Sequence, residues 1–152
     1  CEILLRQRWE NKQPVNIDDA TDAAMQGFSE ETSPGAIWDD TTPNANTAQI
    51  QIRRMIEVYP AYIPATVKGG PAVEIEVEAS AGDRWILTGH IDLVTNTGWV
   101  RDIKTGAINR PYHAQLGAYS LLVRSNKILP AVKGAAIDFI KRTGKTKHQP
   151  PC

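Results

Sequence analysis

The chain has 152 residues, 41% of them hydrophobic, which is enough to bury the core of one domain. It holds no apolar run of about 18 residues, so no membrane-spanning helix is expected, and its first residues do not resemble a secretion signal. Only two cysteines occur, Cys1 and Cys152, which favours a reducing, intracellular setting. Because the first residue is not Met, we expect a piece of a longer protein or a processed chain.

The net charge of zero hides an uneven distribution. Residues 1–100 hold 7 Lys/Arg and 15 Asp/Glu, a net of −8, whereas residues 101–152 hold 10 Lys/Arg and 2 acids, a net of +8. This asymmetry is typical of a basic surface that binds a polyanion. On charge alone, a solvated basic tail is an equally good interpretation.

The N-terminal part, residues 1–72, has the pattern of helices and loops. Apolar spacing and capping residues predict three helices. The first covers residues 2–12, and the second runs from an N-cap at Asp18 or Asp19 to Met25. The third covers residues 47–59 and is expected to end at Pro60 and Pro64. Turn formers and acids predict a surface loop at residues 29–44.

The period of the apolar residues changes to two after residue 72. Strands are predicted at residues 73–79, 84–94 and 99–104, joined by tight turns, which indicates an antiparallel meander. A helix at residues 112–125 and a strand at residues 135–142 follow, and a strand–helix–strand connection predicts a parallel pair. We therefore expect one α/β domain, residues 1–152, whose mixed four-stranded sheet is flanked by helices. Residues 1–72 form its helical and loop part, residues 73–141 its core sheet and helix, and residues 142–152 a flexible basic tail.

Two aspartates and a lysine interrupt the apolar strands of the meander. Asp102 and Lys104 lie two residues apart on one strand and therefore share a face. The hairpin places Asp92 opposite residue 101 or 102. Two neighbouring carboxylates repel unless a cation lies between them, so this pattern favours a Mg²⁺ or Mn²⁺ site. A plain ion pair between Lys104 and either aspartate is the structural alternative.

Three segments in this order resemble a known family. They are GHIDLV (residues 89–94), VRDIKTG (residues 100–106) and HAQLGAYSLLV (residues 113–123). Together they resemble the core signatures of the PD-(D/E)XK nucleases, in particular the RecB-like branch, which includes phage exonucleases and CRISPR-associated nucleases. The resemblance implies a restriction-endonuclease-like αβββαβ core and a cytoplasmic location in a bacterial, archaeal or phage-infected cell.

The same resemblance implies a function and a set of site residues. The function is Mg²⁺- or Mn²⁺-dependent hydrolysis of DNA phosphodiester bonds, exonuclease-like, in recombination, repair or phage DNA processing. The implied metal ligands are Asp92, Asp102, the carbonyl oxygen of Ile103 and, from the first strand, Glu74. Glu76 and Glu78 share the face of Glu74, so alternation alone does not choose among the three. The implied catalytic residues are Asp92, Asp102, Lys104, Gln115 and Tyr119, although Tyr119 fits a core aromatic equally well.

The sequence departs from the RecB-like pattern before the first strand. Members of that branch usually carry a metal-binding His on a preceding helix, and residues 1–72 contain none. His90 and His113 fall inside later motifs and are set aside as candidates for this role. An iron–sulfur cluster bound by Cys1 and Cys152 is not expected, because two ligands are too few.

The basic C-terminal third is expected to hold the DNA backbone without reading bases. The candidate residues are Arg101, Arg110, Arg124, Lys141, Arg142, Lys145 and Lys147. Two other interpretations stay open: a catalytically incomplete domain that only binds DNA, and a metal-stabilised structural domain without a nucleic-acid partner. A larger parent chain or a protein partner would be compatible with any of the three.

Overall fold

The computed structural model describes residues 4, 6–7, 14, 16–33, 35–66, 72–106 and 110–142, without the side chains of residues 60–66. Its elements in chain order are α1 (Ile17–Thr32), α2 (Ala45–Thr66), β1 (Ala72–Ser80), β2 (Ile86–Val94), β3 (Trp99–Gly106), α3 (His113–Ser125) and β4 (Gly134–Lys141). Among these described helices, none is long and apolar enough to cross a membrane.

The four strands form one mixed sheet in the order β1-β2-β3-β4. β1 pairs with β2 and β2 with β3 in antiparallel fashion, whereas β3 and β4 are parallel and connected through α3. The predicted α/β fold, with its meander and parallel pair, is therefore confirmed.

Two apolar clusters cover the two faces of the sheet. One joins Ala20 of α1 and Ile56 and Tyr59 of α2 to sheet residues that include Val73 and Leu93. The other joins Leu122 and Val123 of α3 to sheet residues that include Ile75 and Ile91. The sheet is thus sandwiched between an α1–α2 layer and α3.

The neighbouring strands β1 and β2 change face at matching positions. Regular alternation would place Val73 and Ile75 on one face, yet they lie in different clusters, as do Ile91 and Leu93. Between the first two lies Glu74, whose φ of +49° is unusual for a residue other than glycine and breaks the strand geometry. The flanking pairs, Val73 with Leu93 and Ile75 with Ile91, place Glu74 opposite Asp92, so these two acids lie where the alternation breaks.

The N-terminal helices differ from the predicted ones at their ends. The side chain of Asn16, rather than that of Asp18 or Asp19, caps α1. It accepts hydrogen bonds from the main-chain N–H groups of Asp18 and Asp19. α1 continues to Thr32, so the predicted loop begins later. α2 continues past Pro60 and Pro64, which was not expected.

A proline removes one intrahelical hydrogen bond and clashes with the preceding turn. An amphipathic helix can still persist when its apolar face is packed, and Ile56 and Tyr59 of α2 are buried against the sheet. The predicted helix at residues 2–12 lies mostly outside the described residues, although Leu4 is helical and buried. The predicted tail lies outside them from residue 143 onward.

Candidate metal and active site

The candidate site lies where β2 and β3 separate. Their pairing is limited to Leu93 with Arg101 and Val94 with Val100, and continuing this register brings Asp92 opposite Asp102. Beyond that point the carboxylate of Asp92 accepts a hydrogen bond from the main-chain N–H of Ile103. This hydrogen bond takes the place of a main-chain bond between the two strands, and it holds the Asp92 carboxylate in the gap beside β3.

Asp102 and Lys104 form an ion pair on the α3 side of the sheet. Asp102 is 1% exposed, and Lys104 Nζ lies 2.7 Å from its Oδ2 atom. Oδ2 has no other partner among the described atoms, and the contact with Nζ falls outside good hydrogen-bond geometry. The ammonium group also lies 5.6 Å from the ring centre of Tyr112, within the range of a cation–π contact.

Burial raises the pKa of the Asp102 carboxyl; the close contact with the Lys104 ammonium opposes this, and the charge of Asp92 adds to it. Burial alone would lower the pKa of Lys104, but pairing with Asp102 outweighs it and the pKa of Lys104 is raised. Lys104 therefore stays a cation at neutral pH. The raised pKa of Asp102 reflects a buried carboxylate that a second cation would stabilise.

Gln115 connects α3 to this pair. Its Nε2 donates to Asp102 Oδ1 at 3.2 Å and to Tyr119 Oη at 2.9 Å, and the two helix residues are one turn apart. The ring of Tyr119 packs in the α3 cluster and against Gly89, where an added Cβ would lie 3.0 Å from ring atom Cε1. Tyr119 is thus a core aromatic whose hydroxyl also takes part in the polar network of the site.

A second group of ligand-type side chains borders the first. The ligand atoms of Glu74, His90 and Asp92 all lie within 4.8 Å of one another, and His90 Nδ1 is 3.4 Å from Glu74 Oε2. Of the three glutamates on β1, Glu74 alone joins this group, while Glu76 and Glu78 are exposed. Oxygen and imidazole ligands in this arrangement suit a divalent cation, and the residues present therefore fit one.

The structure corrects the expected role of Arg101. It was expected to contact a nucleic-acid backbone, but it is 6% exposed and its guanidinium forms a two-bond ion pair with Asp138 of β4. Alternation along β3 explains this, because residue 101 faces the α1–α2 layer whereas Asp102 faces α3. A buried guanidinium that is already paired is not available to a phosphate.

The other basic candidates lie at different places. Arg110 and Lys141 are exposed near the end of the sheet that carries Lys104, whereas exposed Arg124 lies at the far end of α3. Arg142 is bonded to Asp39 and Thr41. Lys145 and Lys147 lie outside the described residues.

Sequence reasoning missed two residues of this region, His90 and Tyr112. His90 was set aside because it is not on an upstream helix, yet it precedes Asp92 by two residues on the same strand. This spacing is the signal that could have placed it near the carboxylates. Tyr112 lies in the loop before α3, and nothing in its local sequence indicates that its ring approaches Lys104.

Comparisons with known proteins bear on the family and the fold of this chain. The model of the PD-(D/E)XK nuclease superfamily matches residues 4–150. No curated protein matched the sequence. The fold is similar to the crystal structure of a "Putative exonuclease" from Eubacterium rectale, with a TM-score of 0.60 and 12% sequence identity, over 88% of this chain and 54% of that one. This chain thus spans about half the length of that structure, and at such identity the likeness concerns the fold. Because the superfamily model matches nearly the whole sequence, the chain belongs to the PD-(D/E)XK nuclease superfamily.

Proposed function

We propose that this protein is a divalent-cation-dependent deoxyribonuclease that degrades DNA from ends. The observation that carries the proposal is the position of Asp92 opposite Asp102, with the Lys104 ammonium 2.7 Å from the Asp102 carboxylate, where β2 and β3 separate. Membership of a nuclease superfamily supplies the reaction class, phosphodiester hydrolysis. The fold similarity to a structure described as a "Putative exonuclease" favours action at ends.

The residues proposed to hold the cation are Asp92, Asp102, Glu74 and the carbonyl oxygen of Ile103. The last choice is supported by the bond from Ile103 N–H to Asp92, because both main-chain groups of a strand residue face the same neighbouring strand. Bound there, Mg²⁺ or Mn²⁺ would stabilise the negative charge that develops on the phosphate and promote deprotonation of an attacking water.

Lys104 is proposed to act on the transition state. Its raised pKa keeps it protonated, so it can donate hydrogen bonds to a phosphate oxygen or orient the attacking water. The contact with Asp102 and the ring of Tyr112 limit where its ammonium can lie. Gln115 holds the Asp102 carboxylate from the other side and is proposed to act as a positioning residue.

Exposed basic residues near this end of the sheet are proposed to bind the DNA backbone. Arg110 and Lys141 are the described candidates there, and Lys145 and Lys147 follow along the chain. Arg124 would contribute only to a path that extends along α3, since a helix of 13 residues is about 20 Å long.

A cleavage assay tests the proposal. Labelled linear and covalently closed circular DNA would be incubated with Mg²⁺, Mn²⁺ or EDTA, using wild type, Lys104→Ala and the control Lys133→Ala. Lys133 is exposed and precedes β4, at the opposite end of the β3–β4 pair. We expect cation-dependent loss of linear DNA with circular DNA spared. The rate should fall at least about 100-fold in Lys104→Ala, with DNA binding retained, and stay unchanged in Lys133→Ala.

The other outcomes are equally informative. DNA binding without cleavage under any cation would favour the alternative of a DNA-binding module. Cleavage of circular DNA would replace end-directed action with endonuclease action. Lys104→Ala cleaving at the wild-type rate would remove the proposed role of this residue.

A further inference from the structure

We propose that His90 is a direct ligand of the divalent cation, together with Glu74 and Asp92, and that its nitrogen makes the site prefer Mn²⁺ over Mg²⁺. The inference rests on the cation of the proposed function and specifies its ligands and selectivity. It starts from the position of the three side chains, whose ligand atoms lie within 4.8 Å of one another on β1 and β2.

The register of the two strands creates this group. Glu74 lies opposite Asp92, and His90 precedes Asp92 by two residues on β2. The positive φ of Glu74 interrupts β1 at this position, and the Glu74 side chain is only 18% exposed while that of His90 is 54% exposed. Two carboxylates are thus held on the inner side of the group, and an imidazole closes it toward solvent.

Tyr59 of α2 gives an independent indication of a ligand. This residue is completely buried, and its hydroxyl has no hydrogen-bond partner among the described atoms. Tyr59 packs in the same apolar cluster as Val73 and Leu93, which are the sequence neighbours of Glu74 and Asp92. Burial raises the pKa of Tyr59, and the charges of Asp138, Asp92 and Glu74 add to this while that of Arg101 opposes it. Buried hydroxyl groups are normally paired. A hydrated cation held by Glu74 and Asp92 would bring a water molecule to this side of the site.

The imidazole changes which ions the site should prefer. Carboxylate and carbonyl oxygens suit both Mg²⁺ and Mn²⁺, whereas an imidazole ligand favours a transition ion over Mg²⁺. Mg²⁺ also loses its hydration water reluctantly. We therefore expect Mn²⁺ to bind more tightly than Mg²⁺, and the difference should depend on His90.

Calorimetric titration of the untagged protein with Mn²⁺ and with Mg²⁺, without DNA, measures this selectivity. His90→Ala should lower the Mn²⁺ affinity at least about tenfold, by analogy with the loss of supporting groups in metal sites, and lower the Mg²⁺ affinity less. His90→Asp replaces the nitrogen with oxygen ligands and should shift the preference toward Mg²⁺. His113→Ala is the matched control, because His113 is also exposed but lies at the start of α3 outside the group.

Electron spin echo spectroscopy of bound Mn²⁺ identifies the ligand directly. We expect a ¹⁴N coupling from a coordinated imidazole in wild type and His113→Ala, and its loss in both His90 variants. Circular dichroism and the unfolding midpoint show whether the variants are folded. A coupling that persists in a folded His90→Ala protein, or an unchanged Mn²⁺ affinity, would overturn the inference, as would a wild type that binds no Mn²⁺.

These measurements are separate from the nuclease assay. A wild type with the ¹⁴N coupling but without DNA cleavage would support the His90 ligand and overturn the proposed function. Cation-dependent cleavage by a protein that shows no ¹⁴N coupling would support the proposed function and overturn the His90 ligand.

Discussion

Arg101 Nε donates to Asp138 Oδ2 at 2.8 Å, and a second guanidinium nitrogen donates to the other carboxylate oxygen. Both side chains are buried, and they join the neighbouring strands β3 and β4 on the face covered by α1 and α2. The pair lies on the opposite face of β3 from the Asp102 carboxylate. β3 therefore carries a structural ion pair on one face and the candidate catalytic pair, Asp102 and Lys104, on the other.

Removing Asp138 should destabilise the protein strongly. Asp138→Ala would leave the guanidinium of Arg101 buried without its partner, which costs about 3–5 kcal/mol in unfolding free energy. Urea unfolding followed by circular dichroism measures this loss. Arg124→Ala removes an exposed charge and should change stability by less than about 0.5 kcal/mol. A loss below about 1 kcal/mol in Asp138→Ala would show that the pair contributes little.

Substituting two glycines, Gly89 and Gly117, by alanine distinguishes the effect of close packing on stability from the effect of helix propensity. In Gly89→Ala the new Cβ would lie 2.7 Å from Leu122 Cδ1 and 3.0 Å from Tyr119 Cε1, so the side chains of α3 that pack against β2 would have to shift. Overpacking of this kind costs about 1–3 kcal/mol. Gly117 lies in α3 with no atom within 4 Å of an added Cβ, and Gly117→Ala should stabilise by about 0.5–1 kcal/mol. Urea unfolding of both variants tests the opposite signs, and equal effects would contradict the packing argument.

Much of the sheet could be predicted because the pairing of its strands is determined by residues that are close together in the sequence. The short hairpin between β2 and β3 fixes the register, and the register brings Asp92 opposite Asp102. The segment between β3 and β4 is long enough to hold a crossover helix, which predicts their parallel pairing. Alternation then placed Lys104 beside Asp102, and the structure has their charged atoms 2.7 Å apart.

The remaining features depend on contacts that are distant in the sequence. The partner of Arg101 lies 37 residues away, so the residue looked like any other cation of the basic C-terminal third. The face change at Glu74 arises from a positive φ, which the alternating sequence of β1 does not reveal. That break separates Glu74 from Glu76 and Glu78, a distinction that period-two reasoning could not make.

Asp39 should make stability depend on pH in the acid range. Its carboxylate accepts bonds from Thr41 Oγ1, from the amides of Thr41 and Thr42, and from Arg142. The Thr41 hydroxyl contributes most to lowering the pKa of Asp39 from 3.8 to about 2, partly opposed by desolvation. A lowered pKa in the folded protein stabilises the ionised form. The contribution is therefore present above pH 3.8 and is lost as the pH falls toward about 2.

Asp39→Asn should accordingly be less stable than wild type at pH 7 and at pH 5, with the difference shrinking between about pH 4 and pH 2. Urea unfolding at each pH measures this. Asp40→Asn is the matched control, since Asp40 is an exposed neighbour for which the structure describes no hydrogen bond. A difference between wild type and Asp39→Asn that stays constant with pH would rule out the ionised carboxylate as its source.

The basic end of the chain should bind DNA through phosphates alone. Residues 101–152 carry a net charge of +8, and each phosphate contact with duplex DNA contributes about −0.9 to the slope of log affinity against log salt. Changing Lys145 and Lys147 together to Ala should make this slope shallower by up to about two contacts, with no dependence on DNA sequence. Fluorescence anisotropy titrations at several salt concentrations measure the slope.

The control is the double variant Lys127→Ala with Lys133→Ala. It removes the same charge from exposed residues at the far end of α3 and before β4, and it should leave the slope unchanged. Equal slopes for wild type and the Lys145–Lys147 variant would leave these two lysines without a role and direct the search for the DNA path to Arg110 and Lys141.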